Sequence, residues 1–142
     1  MITIVNENDT RGIQNLNTVL GLYDVMIAQK NGAKAAAKYL KPDYIQHNPI
    51  VPTGAQGLGT FFDQVSAQRA DLRVVVYKII AVGDSVWAHV NFLNLFTDAP
   101  NDRGIAGVDI YRFDADGKIA EHWDVLQEVP DPQKAANTNT MF

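Results

Sequence analysis

The chain has 142 residues, 46% hydrophobic and 20% charged, the size and balance of one globular domain that buries roughly two-thirds of its unfolded surface. Its 12 Lys and Arg against 16 Asp and Glu give a net charge of -4. The basic residues are scattered, with no stripe to neutralise phosphates, so nucleic acid is not an expected partner. The absence of Cys removes disulfides, thiolate metal centres and thiol nucleophiles together.

Residues 1–20 carry acidic and amide side chains and no basic start followed by an apolar run, and nothing later approaches the roughly 18 consecutive apolar residues of a membrane span. A cytoplasmic protein without membrane contact is expected. Asp9-Thr10 offers a helix cap. Ile13, Leu16, Leu20, Tyr23 and Ile27 then recur at three- and four-residue steps up to Asn31-Gly32, which predicts an amphipathic helix with a defined stop. Ala33 to Leu40 predicts a shorter second helix that ends before Lys41-Pro42, since a residue preceding proline disfavours helical geometry. Tyr44 to Pro49 is β-compatible but runs into Pro49, Pro52 and Gly54, and reads as a short extended piece entering a loop. A third helix is expected from about Gly57 to Arg69, with Leu58, Phe61, Phe62 and Val65 on one face.

From Leu72 the period becomes that of strands. Arg73 to Val82, the turn Gly83-Asp84 and Ser85 to Phe96 form a long hairpin. A polar loop, Thr97 to Arg103, leads to a third strand, Ile105 to Phe113; Asp114 to Gly117 is a turn, and Ile119 to Val129 is the fourth strand. Strands joined by turns are antiparallel neighbours. Helices followed by hairpins give an α+β domain over residues 1–129, with the helices on one face of the sheet. Residues 130–142 form a tail with no periodicity, read as a disordered end unless the apolar Met141-Phe142 docks.

Alternation along the strands sorts the polar residues by face. Asp109 shares its face with Ile105, Tyr111 and Phe113, and an acid on an apolar face must be hydrogen-bonded, protonated or used. His122, Asp124 and Leu126 share the pocket face of the last strand; Glu121, Trp123 and Val125 share the other, unless a bulge intervenes. Across the Asp114 to Gly117 turn, Asp109 and Asp124 lie at similar distances and are expected to face one another, an arrangement that splits carboxyl pKa values into one acid and one base. His89 shares a strand face with Trp87 and Asn91, and Tyr23 lies on the apolar stripe of the first helix. No His pair has i, i+4 spacing on a helix or His-x-His spacing on a strand, so no metal site is read.

The segments Tyr44-Ile45-Gln46-His47-Asn48-Pro49, Asp109-Ile110-Tyr111-Arg112-Phe113 and Gly117-Lys118-Ile119-Ala120-Glu121-His122-Trp123-Asp124-Val125, in that order, resemble the SnoaL-like polyketide cyclase family of the nuclear-transport-factor-two-like superfamily. The resemblance implies a cone: a curved antiparallel sheet of four main strands, plus the short extended segment, covered by about three N-terminal helices around a pocket with one mouth. It also implies a small apolar ligand, no cofactor, and Asp124 as the acid/base on the last strand. A second polar residue of such cyclases, a His on the preceding strand, falls near Asp109 here. The Asp-Arg-Asp network of an epoxide hydrolase of this superfamily is not matched, because residue 107 is Gly and Arg112 faces away from Asp109. The expected catalytic set is Asp124, Asp109 and His122, and the expected substrate-binding set is His47, Asn48, His89 and Tyr23. Non-catalytic ligand binding, or a dimeric interaction domain, is the competing expectation, and a homodimer fits either because an open sheet leaves an apolar face to cover.

Overall fold

A computed structural model describes residues 1–142. The elements run β1 (Ile2–Val5), α1 (Thr10–Tyr23), a π-helical turn (Asp24–Ala28), α2 (Gly32–Tyr39), β2 (Leu40–Gln46), α3 (Ala55–Gln68), β3 (Arg73–Val82), β4 (Ser85–Leu93), β5 (Ile105–Phe113) and β6 (Ile119–Glu128). One curved sheet has the order β1-β3-β4-β5-β6-β2, and its inner face shares a single core with the helices, including Val19, Leu22, Ile79, Val86, Val90 and Phe113. The α+β class is as expected, but the sheet has six strands and is mixed. The additions are its two edge strands: β1 pairs parallel with β3, and β2 pairs parallel with β6. Neither shows the alternation of a half-buried strand. Ile2, Thr3 and Ile4 are all exposed, and β2 carries Pro42 at a break in its pairing between Leu40 and Ile45, which only an edge strand tolerates.

Helix α1 is fastened to the β3–β4 turn from two sides. Asp9 caps the helix by accepting from Gly12 N–H at 2.8 Å and also accepts from Gly83 N–H at 2.7 Å. Asn15, buried on the helix, donates to the Gly83 carbonyl at 2.8 Å. Gly83 has φ +56°, a conformation that favours glycine. The helical period predicted to run on to Ile27 widens to a π turn, which takes the three consecutive buried residues Val25, Met26 and Ile27. β4 ends three residues before the predicted Phe96, because Asn94 adopts φ 57° and its N–H turns to Asp102 Oδ2 at 2.7 Å.

The pairing of β5 and β6 decides which side chains face inward. Phe113 pairs with Ile119, but Arg112 pairs with Glu121, so Ala120 is an extra residue without a partner. This β-bulge shifts the register by one. Beyond it Tyr111 faces His122 and Asp109 faces Asp124. Without it the alternation that starts at Ile119 would carry Glu121 and Trp123 inside.

The tail lies on the outer face of the sheet. Phe142 stacks on Tyr77 with ring centroids 4.4 Å apart and approaches His89 at 5.6 Å.

Deleting Ala120 removes the bulge and drives Glu121 and Trp123 toward the core. We expect this deletion to destabilise the fold by more than about 4 kcal/mol, read as loss of a cooperative melt, whereas deleting Thr138 from the tail leaves the melt in place. A melt near that of the parent for the Ala120 deletion would refute the role given to the bulge.

Candidate functional site

Between the helices and the inner face of β5, β6 and β2 lies a narrow cavity of about 50 Å³. Met26, Leu58, Phe61, Phe62, Phe96 and Leu126 are among its apolar walls. Its polar atoms come from Tyr23, Tyr44, Gln46, Asn48, Asp109, Tyr111, His122 and Asp124, and no Lys or Arg lines it.

Asp109 is 2% exposed. Tyr23 Oη, from α1, donates to its Oδ2, and Tyr111 Oη, two residues along the same strand, lies 3.2 Å from that oxygen and 3.1 Å from Tyr23 Oη. Burial first, and then the Asp109 charge, push both tyrosine hydroxyls well above their ordinary value. Tyr44 is pushed up by burial, then by Asp109 and Asp124. The three phenols therefore stay protonated and act as donors.

His122 stacks on Tyr111 at 4.7 Å. Its Nδ1 lies 3.0 Å from Gln46 Oε1. Its Nε2 is buried without a hydrogen-bond partner, 3.5 Å from Asp109 Oδ1. Asp124 is less enclosed: both its oxygens accept from Asn48 Nδ2, at 2.9 and 2.8 Å. Asn48 is fixed in turn, since its Oδ1 accepts from Ile50 N–H at 3.0 Å. The cluster thus holds two carboxylates, one imidazole and neutral donors in an apolar cavity, the ingredients of proton transfer. Asp109, His122 and Asp124 each also offer a ligand atom, all within 4.8 Å of one another. This convergence is made across strands, so no His spacing in the sequence signals it.

The sequence profile of the SnoaL-like domain matches residues 19–122. The chain belongs to the SnoaL-like family. Solved structures agree on the fold. A candidate polyketide cyclase from Bacillus cereus ATCC 10987 superposes with TM-score 0.67 at 16% identity, covering 89% of this chain and 91% of that one. An NTF2-like protein of unknown function from Mesorhizobium loti gives 0.65 at 16% identity, covering 89% and 99%. A candidate isomerase of the SnoaL-like family from Agrobacterium tumefaciens str. C58 gives 0.66 at 13% identity, covering 81% and 98%. No curated protein matches the chain.

Within this SnoaL-like cone the structure brings together Asp109, His122, Asp124, Asn48 and Tyr23. Two residues expected to bind substrate lie elsewhere. His47 is on the outer face, stacked on Trp123 at 4.7 Å with Nε2 2.8 Å from Glu121 Oε1. Strand alternation explains this, because Gln46 and Asn48 point inward on either side of it. His89 is also outside, beside Tyr77 and Phe142, since its neighbours Ala88 and Val90 fill the core. Three lining residues were not singled out from the sequence. Tyr111 was legible as a face-mate of Asp109. Tyr44 and Gln46 share the period of Asn48, but the prolines around them hid a strand.

Because the folded pKa values of Tyr23, Tyr44 and Tyr111 are raised, their contribution to stability is complete below the ordinary tyrosine value of 10.0 and is lost as pH rises beyond it. Alkaline spectrophotometric titration should show these three phenols ionising only in the step that unfolds the protein. Tyr111→Phe should remove one phenol from that step; its removal from an earlier phase would contradict the assignment.

Proposed function

We propose that this SnoaL-like protein is an acid–base enzyme that needs no cofactor and moves a proton on an apolar carbonyl compound, in aldol or isomerase-type chemistry. The observation that carries the reading is the pairing of Asp124 with Asp109 at the polar end of an apolar cavity, one carboxylate open to it and the other enclosed. Asp124, steadied by Asn48, takes the proton from the carbon beside the carbonyl, leaving an enolate. Tyr23 and Tyr111 donate to Asp109, and the proton held by Asp124 is returned to the product by way of His122, which leaves Asp124 ionised and His122 unchanged at the end of the cycle. Names given to cyclases and isomerases of similar fold agree with this chemistry and do not define the substrate.

Asp124→Asn keeps the shape and one of the two contacts with Asn48 but removes the base. Solvent-deuterium exchange at the acidic C–H of a turned-over compound, found by screening aryl ketones and β-dicarbonyls, should fall about 10²–10⁴-fold while binding persists. Unchanged exchange would sink the proposal. Ligand retained through purification with no exchange in the parent protein would instead identify a binding protein of the same fold.

The same reading includes a homodimer. On the outer face, Ile4, Ile80, Trp87, Ile110 and Trp123 follow one another across five strands in register, with Trp87 49% exposed and Ile4 53%. An apolar row of this extent is a surface for a second copy. Light scattering should give twice the chain mass for the parent and the chain mass for Trp87→Glu; a monomeric parent would refute it.

A further inference from the structure

Gln46 stands beside His122 in the parallel pairing of β2 and β6, and both ends of its amide are used. Its Oε1 accepts from Asn48 N–H at 3.0 Å and lies 3.0 Å from His122 Nδ1. A backbone N–H can only donate, so the atom facing it is the amide oxygen, and the orientation of Gln46 is settled independently of the histidine. An amide oxygen can only accept, so His122 Nδ1 bears a proton whatever the charge on the ring, and Nε2 is the nitrogen that gains or loses one. That atom is buried and has no hydrogen-bond partner.

The other end of the amide donates to Tyr44 Oη at 3.0 Å. Tyr44 is 2% exposed and lines the cavity. Its oxygen is thereby satisfied as an acceptor, while its own proton meets no acceptor on the protein. Tyr23 and Tyr111 differ in directing their protons to the Asp109 cluster. A buried phenol with an unengaged proton, on the wall of a cavity whose other two phenols already direct their protons to the Asp109 cluster, is a donor waiting for a ligand oxygen.

We propose that Gln46 is a positioning residue that sets two proton positions at once, leaving His122 Nε2 as the proton-exchanging atom and Tyr44 Oη as the hydrogen-bond donor to a carbonyl or enolate oxygen of the ligand. The site therefore takes a compound with an acceptor oxygen next to its acidic C–H. The ligand class rests on the acid–base reading above; the two proton positions do not.

Three variants separate the parts. Tyr44→Phe removes the donor and keeps the shape. Gln46→Glu keeps an acceptor for Asn48 N–H and His122 Nδ1 but presents an acceptor to Tyr44, whose proton turns away from the cavity. Gln46→Leu removes all three contacts. Thermal melts of all three confirm folding before use. Heteronuclear NMR of histidine-labelled protein should show the Nδ1–H form of His122 in the parent, Tyr44→Phe and Gln46→Glu, and a shift toward Nε2–H in Gln46→Leu. Difference infrared spectra of bound acetonaphthone should show a lowered carbonyl stretch in the parent that is absent in Tyr44→Phe and Gln46→Glu, with binding roughly tenfold weaker in both.

A parent His122 in the Nε2–H form, or one unmoved by Gln46→Leu, overturns the positioning role. An equal carbonyl stretch in parent and Tyr44→Phe, or no saturable binding of the ketone to the parent, overturns the donor role. Neither measurement needs turnover, so a failure of the proposed reaction is distinguishable from a failure here.

Discussion

The single unpaired residue at Ala120 is the constraint on which the cavity depends. A strand has a side-chain period of two, so a shift of one residue exchanges its faces along its whole length. The turn before β6 is closed by Asp114, whose Oδ1 accepts from Asp116 N–H and Lys118 N–H, each at 2.9 Å. That turn delivers Ile119 opposite Phe113 in the core. Continued without interruption, the same register would set Trp123 against Asp109. The bulge keeps Ile119 inside and sends His122 and Asp124 inside as well, which alternation alone cannot do for residues 119 and 122. One inserted residue thus converts an ordinary hairpin into one that pairs two carboxylates.

That pairing creates an electrostatic problem which the helices solve. A buried carboxylate without partners carries an effective penalty of several kcal/mol, and hydrogen bonds to a charged group return about 1.5–3 kcal/mol each. Two donors on Asp109 are therefore of the right order to hold it, and one donor is not. Tyr111 comes with the strand. Tyr23 comes from α1, so its contribution exists only when that helix is docked. The clamp of Asp9 and Asn15 on Gly83 sets how α1 lies on the sheet. Docking of the first helix and delivery of a hydrogen-bond donor to the acid are in this sense one event, and site chemistry and fold stability cannot be varied independently at Tyr23.

Much of this was legible in the sequence because local pattern carries it. Asp9 as a cap, the strand Ile105 to Phe113, the inward set His122, Asp124 and Leu126, and the facing of Asp109 and Asp124 all follow from period and turn chemistry between neighbours in the chain. What was not legible depends on partners distant in sequence. β2 owes its existence to β6, some 75 positions away by the hydrogen bonds that join them, and its residues show no strand signal around Pro42. Without β2 as a strand, the alternation of Tyr44, Gln46 and Asn48 has no reference frame in the sequence, and His47 reads as a cavity residue although it stacks on Trp123 on the outer face. His89 is ambiguous for a different reason: a lone histidine on a strand has two faces available, and only the burial of Ala88 and Val90 decides between them.

The displaced His47 still bears on the site, from behind the sheet. Glu121 joins it to Arg112 at 2.8 Å on each side, and the His47 contact, followed by that of Arg112, holds the Glu121 carboxyl below its ordinary range. Since the folded value is depressed, this contribution is present above the unfolded value and fades as pH falls through the folded one. Exposed pairs of this kind add little to global stability. Their effect is local, because Ile45 pairs with Glu121 and Gln46 with His122 in the same ladder. The stack on Trp123 and the ion pair with Glu121 both act on His47, and so fix the chain against β6 between Gln46 and Asn48. The two amides that orient His122 and Asp124 are therefore set from the outer face, by side chains that never meet the cavity.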